Sequence, residues 1–127
     1  MGELHSTVAD ADTVSREHQV QVRLIQALGA AVARGENVAR TLAQLSEYSR
    51  AHFLSEELLM RLYDYPDYAT HVLDHEKMVE WLDELDVRQG DAAAMAQAVQ
   101  ELSAIFLRHI GVADTGLHDF LAGLPSS

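Results

Sequence analysis

Apolar side chains recur every three or four positions along most of this chain, which is the spacing of amphipathic helices and not of strands. Only two prolines occur in the 127 residues, and long stretches are rich in Ala, Leu, Gln, Glu and Arg, which favour helix. We predict four helices, at about residues 15–34, 37–64, 66–87 and 91–110, preceded by a polar arm and followed by a short segment that ends near Leu124.

Short breaks separate the predicted helices. Asn37 and Asp91 follow glycine-containing turns and suit the N-cap position, whereas Pro66 suits the first turn of the third helix. Connections as short as these make successive helices antiparallel neighbours. The sequence therefore predicts an all-α fold, an antiparallel up-down-up-down four-helix bundle.

Each predicted helix carries polar side chains able to bind a metal on the same face as its core residues. His5 and His118 lie outside these helices. The inward faces comprise His18, Val22, Ile25, Gly29 and Val32 in the first helix; Leu42, Leu45, Ser49, His52, Glu56, Leu59 and Tyr63 in the second; Tyr68, His71, His75, Met78, Leu82 and Leu85 in the third; and Met95, Val99, Leu102, Phe106 and His109 in the fourth.

Asp114 follows His109 by five residues, at a glycine-containing turn that can bring its carboxylate back toward the interior. Any one of these inward polar residues is most simply a core residue with an ordinary hydrogen-bond partner. Burying all of them without partners would cost on the order of 10 kcal/mol, which is comparable with the stability of a whole domain. A bound metal would satisfy the set at once. The candidate ligands are His18, His52, Glu56, His71, His75, His109 and Asp114.

Composition narrows the possible functions. The length and the 48% of apolar residues fit a single domain, residues 1–127. With 9 Lys+Arg against 20 Asp+Glu, the net charge of −11 leaves no basic stripe for nucleic acid or an anionic membrane. The chain has no cysteine, so any metal would be held by nitrogen and oxygen. Because neither a membrane span nor a secretory signal is present, we expect a cytoplasmic protein.

Three segments resemble sequence motifs of the hemerythrin family of non-haem di-iron oxygen-binding proteins. HFLSEELLM, from His52, resembles the family's H-F-x-x-E-E-x-x-M helix, with Tyr48 one turn before it. YPDYATHVLDH, from Tyr65, resembles Y-P-x-Y-x-x-H-x-x-x-H, and HIGVAD, from His109, resembles H-I-x-x-x-D. The resemblance covers about residues 15–117, and its middle motif is highly specific.

The resemblance implies a pair of iron ions with one open coordination position, on the iron that has only two histidines, where dioxygen would bind end-on. Phe106 and Ile110 would wall the oxygen pocket, and both also fit as ordinary core residues. A histidine-rich ligand set favours reversible oxygen binding over the oxidation of a substrate. The implied ligands are His71, His75 and His109 for one iron, His18 and His52 for the other, and Glu56, Asp114 and an oxo or hydroxo group as bridges.

Tyr48 and a group of acidic residues can each be explained without a role at a metal site. Tyr48 either orients a metal ligand or is an ordinary amphipathic tyrosine of the bundle. The acidic side chains of the second and third helices are interpreted as a solvated helix face. These acidic residues are Glu57, Glu76, Glu80, Asp83 and Glu84.

The physiological role stays open at this point. The protein could be an oxygen carrier or store, or an oxygen or redox sensor whose state passes to a fused or separate signalling output module. It could also be a di-iron enzyme acting on peroxide or nitric oxide. We expect dioxygen to be the ligand and expect no enzymatic turnover beyond a weak peroxidase-type activity.

Overall fold

The four long helices expected from the sequence are present in the computed structural model, which describes residues 7–123. Helix α1 packs against α2 and α4, and α3 also packs against both, so the four helices enclose one interior and confirm the predicted all-α bundle. Within residues 7–123, none of the helices combines the length and the apolar character needed to cross a lipid bilayer. The elements are α1 (Thr7–Arg34), α2 (Val38–Leu62), α3 (Tyr68–Val87), α4 (Ala92–His109), a π-helical turn (Ile110–Asp114) and α5 (Thr115–Ala122).

Helix α1 begins at Thr7, earlier than predicted, so the second half of the expected polar arm is helical. The extension contributes two small apolar side chains, Ala11 and Val14, each only 1% exposed. These side chains bury apolar area against the rest of the bundle, which explains why the helix continues past the predicted boundary. Residues 1–6, with His5, lie outside the described part of the chain.

The predicted C-terminal segment forms α5, which packs along α1. Leu117 and Leu121 are both fully buried, so this short helix covers one end of the bundle. Leu124, where the segment was expected to end, lies outside the described residues.

Residues in the left-handed conformation end α1 and α2. Gly35 has a φ of 69°, and the Glu36 N–H donates to the Ala31 carbonyl at 3.1 Å, as in a Schellman motif. Asp64 has a φ of 54° and ends α2 in the same way, because the Tyr65 N–H donates to the Met60 carbonyl at 2.8 Å. This second turn explains why α2 ends at Leu62, two residues before the predicted boundary.

The starts of the later helices differ in their capping. Asp91 caps α4 as predicted, because its side chain accepts a hydrogen bond from the Ala94 N–H at 3.0 Å. Asn37 lies at the N-cap position of α2 but makes no side-chain capping bond. Pro66 precedes α3 and does not lie in its first turn, since the N-cap residue is Asp67.

Two apolar clusters fill the interior. The bundle cluster lies along the middle of the four helices, and the end cluster lies where α5 meets the start of α1. In α2, Phe53 belongs to the bundle cluster and Met60 to the end cluster, with Glu56 between them. The bundle cluster consists of Ile25, Leu28, Leu42, Leu45, Phe53, Met78, Leu82, Leu85, Met95, Ala98, Val99, Leu102 and Phe106, and the end cluster of Ala11, Val14, Met60, Leu117 and Leu121.

The inward face of α1 differs in part from the predicted one, although His18 and Ile25 are buried as predicted. Val22, Gly29 and Val32 are only half-buried, whereas Gln21 and Leu28 are 1% and 0% exposed. The predicted face and the observed face both have helical spacing. A search for apolar residues selects the predicted face, because Gln21 on the observed face is polar.

Candidate metal centre

All seven candidate ligand side chains are buried, and they converge in the layer between the two apolar clusters. The most exposed of them retains only 8% of its surface. Helices α1 and α4 each contribute one side chain, α2 and α3 contribute two each, and the π-helical turn contributes the last. The converging residues are His18, His52, Glu56, His71, His75, His109 and Asp114.

Three of the histidines form one group of donor atoms with both carboxylates. His75 Nε2 lies 2.9 Å from Glu56 Oε1, and His71 Nε2 lies 3.4 Å from the same oxygen. His71 Nε2 and His109 Nε2 each lie 2.9 Å from Asp114 Oδ1. One ligand atom from each of these five residues lies within 4.8 Å of all the others, so a single cation could contact all five. This set is called the three-histidine group below.

The other two histidines form a second group with the same two carboxylates. His18 Nε2 lies 2.7 Å from Glu56 Oε2 and 3.0 Å from Asp114 Oδ2, and His52 Nε2 lies 3.2 Å from Glu56 Oε2. This set is called the two-histidine group. Each carboxylate therefore turns one oxygen toward each group, which is the arrangement of a ligand that bridges two cations.

The hydrogen bonding of the centre is incomplete. Among the described residues, every buried side-chain nitrogen or oxygen that makes no well-aligned hydrogen bond belongs to one of these ligands, although each lies close to an atom of another ligand. Such atoms are rare in folded proteins, because each costs about 1–3 kcal/mol. Cations lying between the nitrogens and the oxygens would satisfy them all, and imidazole with carboxylate is a donor set that suits iron. The unpartnered atoms are His52 Nε2, Glu56 Oε1, His71 Nε2, His75 Nε2, His109 Nε2, and Oδ1 and Oδ2 of Asp114.

The π-helical turn brings Asp114 into the centre. In a continuous α-helix, a residue five positions after His109 would point about 140° away from it. The π-helical turn Ile110–Asp114 follows α4 directly and widens the backbone there, so that the two side chains share a face. The sequence predicted this return of the carboxylate through a glycine-containing turn, and a widened helix achieves it instead.

Carboxylates outside the centre bind two of the imidazole rings. His52 Nδ1 donates to Glu17 Oε1 at 2.6 Å, and His75 Nδ1 donates to Glu57 Oε2 at 3.0 Å. A partner at Nδ1 fixes the tautomer and the ring orientation and directs Nε2 toward the centre. The interpretation of Glu57 as a solvated charge is therefore wrong. Its place as the second glutamate of HFLSEELLM was a signal that could have identified it.

Tyr48 supports this outer layer. Its hydroxyl donates to the Glu17 backbone carbonyl at 3.3 Å, and its ring is nearly parallel to that of His52 at 6.3 Å between centroids. Tyr48 thus contacts both members of the Glu17–His52 pair, which favours the orienting role over that of an ordinary bundle tyrosine.

Replacing Glu57 with alanine is expected to weaken metal binding about tenfold or more, because His75 loses the acceptor that orients it. Glu47→Ala is the matched control, since Glu47 is an exposed glutamate of the same helix. Titration with ferrous iron under anaerobic conditions measures both affinities. Equal affinities in the two variants would show that Glu57 has no orienting role.

Neighbouring carboxylates favour the protonated form of three of the buried imidazoles when no metal is bound. For His18, His52 and His71, burial lowers the pKa, but the adjacent carboxylates outweigh this effect. The pKa of each of the three rises from 6.5 to about 9. Metal binding needs the neutral imidazole, so a cation must displace these protons.

The pKa values of the two central carboxylates, Glu56 and Asp114, are shifted downward. Burial raises the pKa of Glu56, but the surrounding histidines outweigh it and hold that pKa well below its usual value. Burial also raises the pKa of Asp114, and His109, His18 and His71 together bring it below its usual value. Both carboxylates are therefore ionised and ready to bind a cation.

Phe106 lies on the bundle-cluster side of the centre. It is fully buried, and its ring centroid lies 6.2 Å from that of Phe53. Phe53 in turn stacks on His75 at 4.2 Å. The ring of Phe53 also lies 6.0 Å from that of His52, so Phe53 borders both groups and Phe106 packs behind it.

Ile110 lies elsewhere, in the lining of a cavity of about 590 Å³ that reaches His18 and Asp114. The half-buried His118 of α5 and the exposed Arg23 of α1 also line this cavity. The cavity thus connects the protein surface with the two-histidine group.

Comparison with known proteins agrees with this geometry. Residues 9–121 match the family model of the hemerythrin HHE cation-binding domain, a range that contains all seven converging side chains. Comparisons with curated proteins and with solved structures found no match. The family match covers most of the 127 residues. The chain belongs to the hemerythrin HHE cation-binding domain family.

Proposed function

We propose that the protein holds two iron ions, one in the three-histidine group and one in the two-histidine group. The observation that carries this proposal is that Glu56 and Asp114 belong to both groups and present a different oxygen to each. The two carboxylates would bridge the ions together with an oxo or hydroxo group. The absence of sulfur donors and the five imidazoles favour iron over a structural zinc site.

We propose reversible dioxygen binding as the function of this pair. Ferrous ions, when bound, supply the electrons that dioxygen takes up and returns. The two-histidine group has one imidazole fewer than its neighbour, and the cavity beside Ile110 reaches it from the surface. Both features favour that group as the place where a small ligand enters.

The chain's own residues would keep the reaction reversible. The bundle cluster and the end cluster enclose the donors on two sides and exclude water there. A donor set rich in neutral imidazole carries less negative charge than a set rich in carboxylate. It therefore stabilises highly oxidised iron less, which favours release of oxygen over oxidation of a substrate.

The protein would serve as a cytoplasmic oxygen carrier or store, or as an oxygen or redox sensor that acts on a fused or separate output module. A di-iron enzyme acting on peroxide or nitric oxide is the second candidate. The cavity supports this candidate, because polar side chains such as Gln19 and Arg23 line it and would admit small polar molecules.

Anaerobic loading with ferrous iron, followed by oxygen, tests the proposal. We expect two irons per chain and a visible absorption band that appears with oxygen and disappears when oxygen is removed. A protein that binds no iron would contradict the metal assignment. Irreversible conversion to the ferric form within the mixing time, with turnover of peroxide above that of free iron, would favour the enzyme.

A further inference from the structure

Gln21 and Ser49 form a polar pair inside the bundle, where apolar side chains would be expected. They are 1% and 0% exposed, and Gln21 Nε2 donates a hydrogen bond to Ser49 Oγ at 3.1 Å. Neither residue belongs to the metal-ligand set. A buried amide with a single hydrogen bond costs stability relative to an apolar side chain of the same size, so the pair calls for a functional explanation.

The pair lies one helical turn from the two-histidine group. Gln21 follows His18 by three residues in α1, and Ser49 precedes His52 by three residues in the antiparallel α2. Because the two helices are antiparallel, Gln21 is displaced from His18, and Ser49 from His52, in the same direction along the bundle, by about 4.5 Å. The rings of the two histidines are 4.8 Å apart between centroids, so the polar pair and the histidine pair form successive layers between the same two helices.

The direction of the glutamine side chain brings its amide closer to the histidines. Side chains of an α-helix lean toward the helix N-terminus, which for Gln21 is the direction of His18. Ser49 leans away from His52 for the same reason. We therefore expect the amide of Gln21, and not the Ser49 hydroxyl, to be the member of the pair directed toward the two-histidine group.

The chemistry of the amide suits a small ligand in that position. A glutamine amide has two N–H groups, and Ser49 accepts a hydrogen bond from the amide nitrogen. Among residues 7–123 the amide nitrogen has no second acceptor, so its other N–H can donate to a bound ligand. Hydrogen bonds to charged acceptors are about twice as strong as those between neutral groups.

We propose that Gln21, which is hydrogen-bonded to Ser49, is a specificity-determining residue that donates a hydrogen bond to small anionic ligands at the two-histidine group. This inference rests on the proposed function and adds a polar contact to a pocket that was expected to be apolar. It assigns to the site a preference for ligands that carry negative charge when bound, over neutral apolar ligands of the same size.

Azide binding to the diferric protein tests the proposal with two variants that remove the same internal hydrogen bond. Gln21→Met keeps the size of the side chain but removes the donor, whereas Ser49→Ala keeps the donor and removes only its partner. We expect Gln21→Met to weaken azide binding about tenfold or more and Ser49→Ala to change it about twofold or less. Iron content, measured first, is expected to equal that of the wild type in both.

Each outcome is informative. Equal weakening in the two variants would show that the hydrogen bond is merely structural, and unchanged affinity in Gln21→Met would also overturn the inference while leaving the proposed function intact. A wild-type protein without iron would overturn the proposed function and this inference with it. If Gln21→Met does not fold, as judged by thermal unfolding without metal, Gln21→Leu removes the donor in the same way and is expected to weaken azide binding equally.

Discussion

Replacing Glu56 with glutamine is expected to lower the iron content from two ions per chain to one or none. Oε1 of this fully buried residue faces the three-histidine group and Oε2 faces the two-histidine group. An amide offers one carbonyl oxygen and an N–H₂ that does not bind cations, so it cannot bridge the groups. Iron analysis after anaerobic loading and desalting measures the loss.

Glu47→Gln is the matched control for this variant. Glu47 lies on the same helix, is exposed, and undergoes the same change of charge. It is expected to retain both ions, and circular dichroism of the metal-free proteins is expected to show the same helix content in all three. Retention of two irons by the Glu56→Gln variant would disprove the bridging role of this residue.

The metal-free protein is expected to lose stability as the pH rises through about 9. The pKa values of His18, His52 and His71 are raised from 6.5 to about 9 in the folded chain, so their contribution is complete below pH 6.5 and disappears above pH 9. Glu56 and Asp114 have lowered pKa values, so their contribution is lost only as the pH falls through those lowered values. Metal-free stability is therefore expected to be highest between pH 4.5 and 6.5.

Bound metal is expected to remove this loss of stability between pH 6.5 and 9, because the histidines are then neutral in both the folded and the unfolded chain. A cation needs neutral imidazole, so loading releases protons and its affinity increases with pH between 6.5 and 9. The difference in melting temperature between loaded and metal-free protein should therefore widen over this range. Thermal unfolding at both ends of the range, with and without metal, measures it.

His118→Asn is the control, because His118 contributes no ligand atom to either group and the variant is expected to keep the wild-type profile. A metal-free melting temperature that stays constant or increases up to pH 9 would contradict the ionised histidine–carboxylate cluster inferred from the contacts.

The long helices and the inward ligand positions were predictable because the information is local. Residues three and four apart share a helix face wherever the helix is placed, so His71 and His75 had to lie together once α3 formed. The same holds for His52 and Glu56 in α2. The motif resemblance then related these faces to one another, which the spacing alone could not do.

The positions that sequence reasoning missed depend on contacts between helices. Glu57 orients a histidine of α3 from α2, and nothing in the spacing along α2 indicates that partner. Gln21 was overlooked because a search for buried faces favours apolar residues, and its partner Ser49 also lies on another helix. Burial of a polar side chain depends on whether a neighbouring helix supplies a hydrogen-bond partner.

The local periodicity of the chain was sufficient to specify four amphipathic helices and to place a histidine or a carboxylate on the inward side of each, since these properties follow from neighbours one turn apart. Packing of the helices was required to bring the carboxylates between two sets of imidazoles, to widen the backbone before Asp114, and to bury Gln21 beside Ser49. These features arise from groups distant in sequence, whose distances are set only when the apolar clusters form.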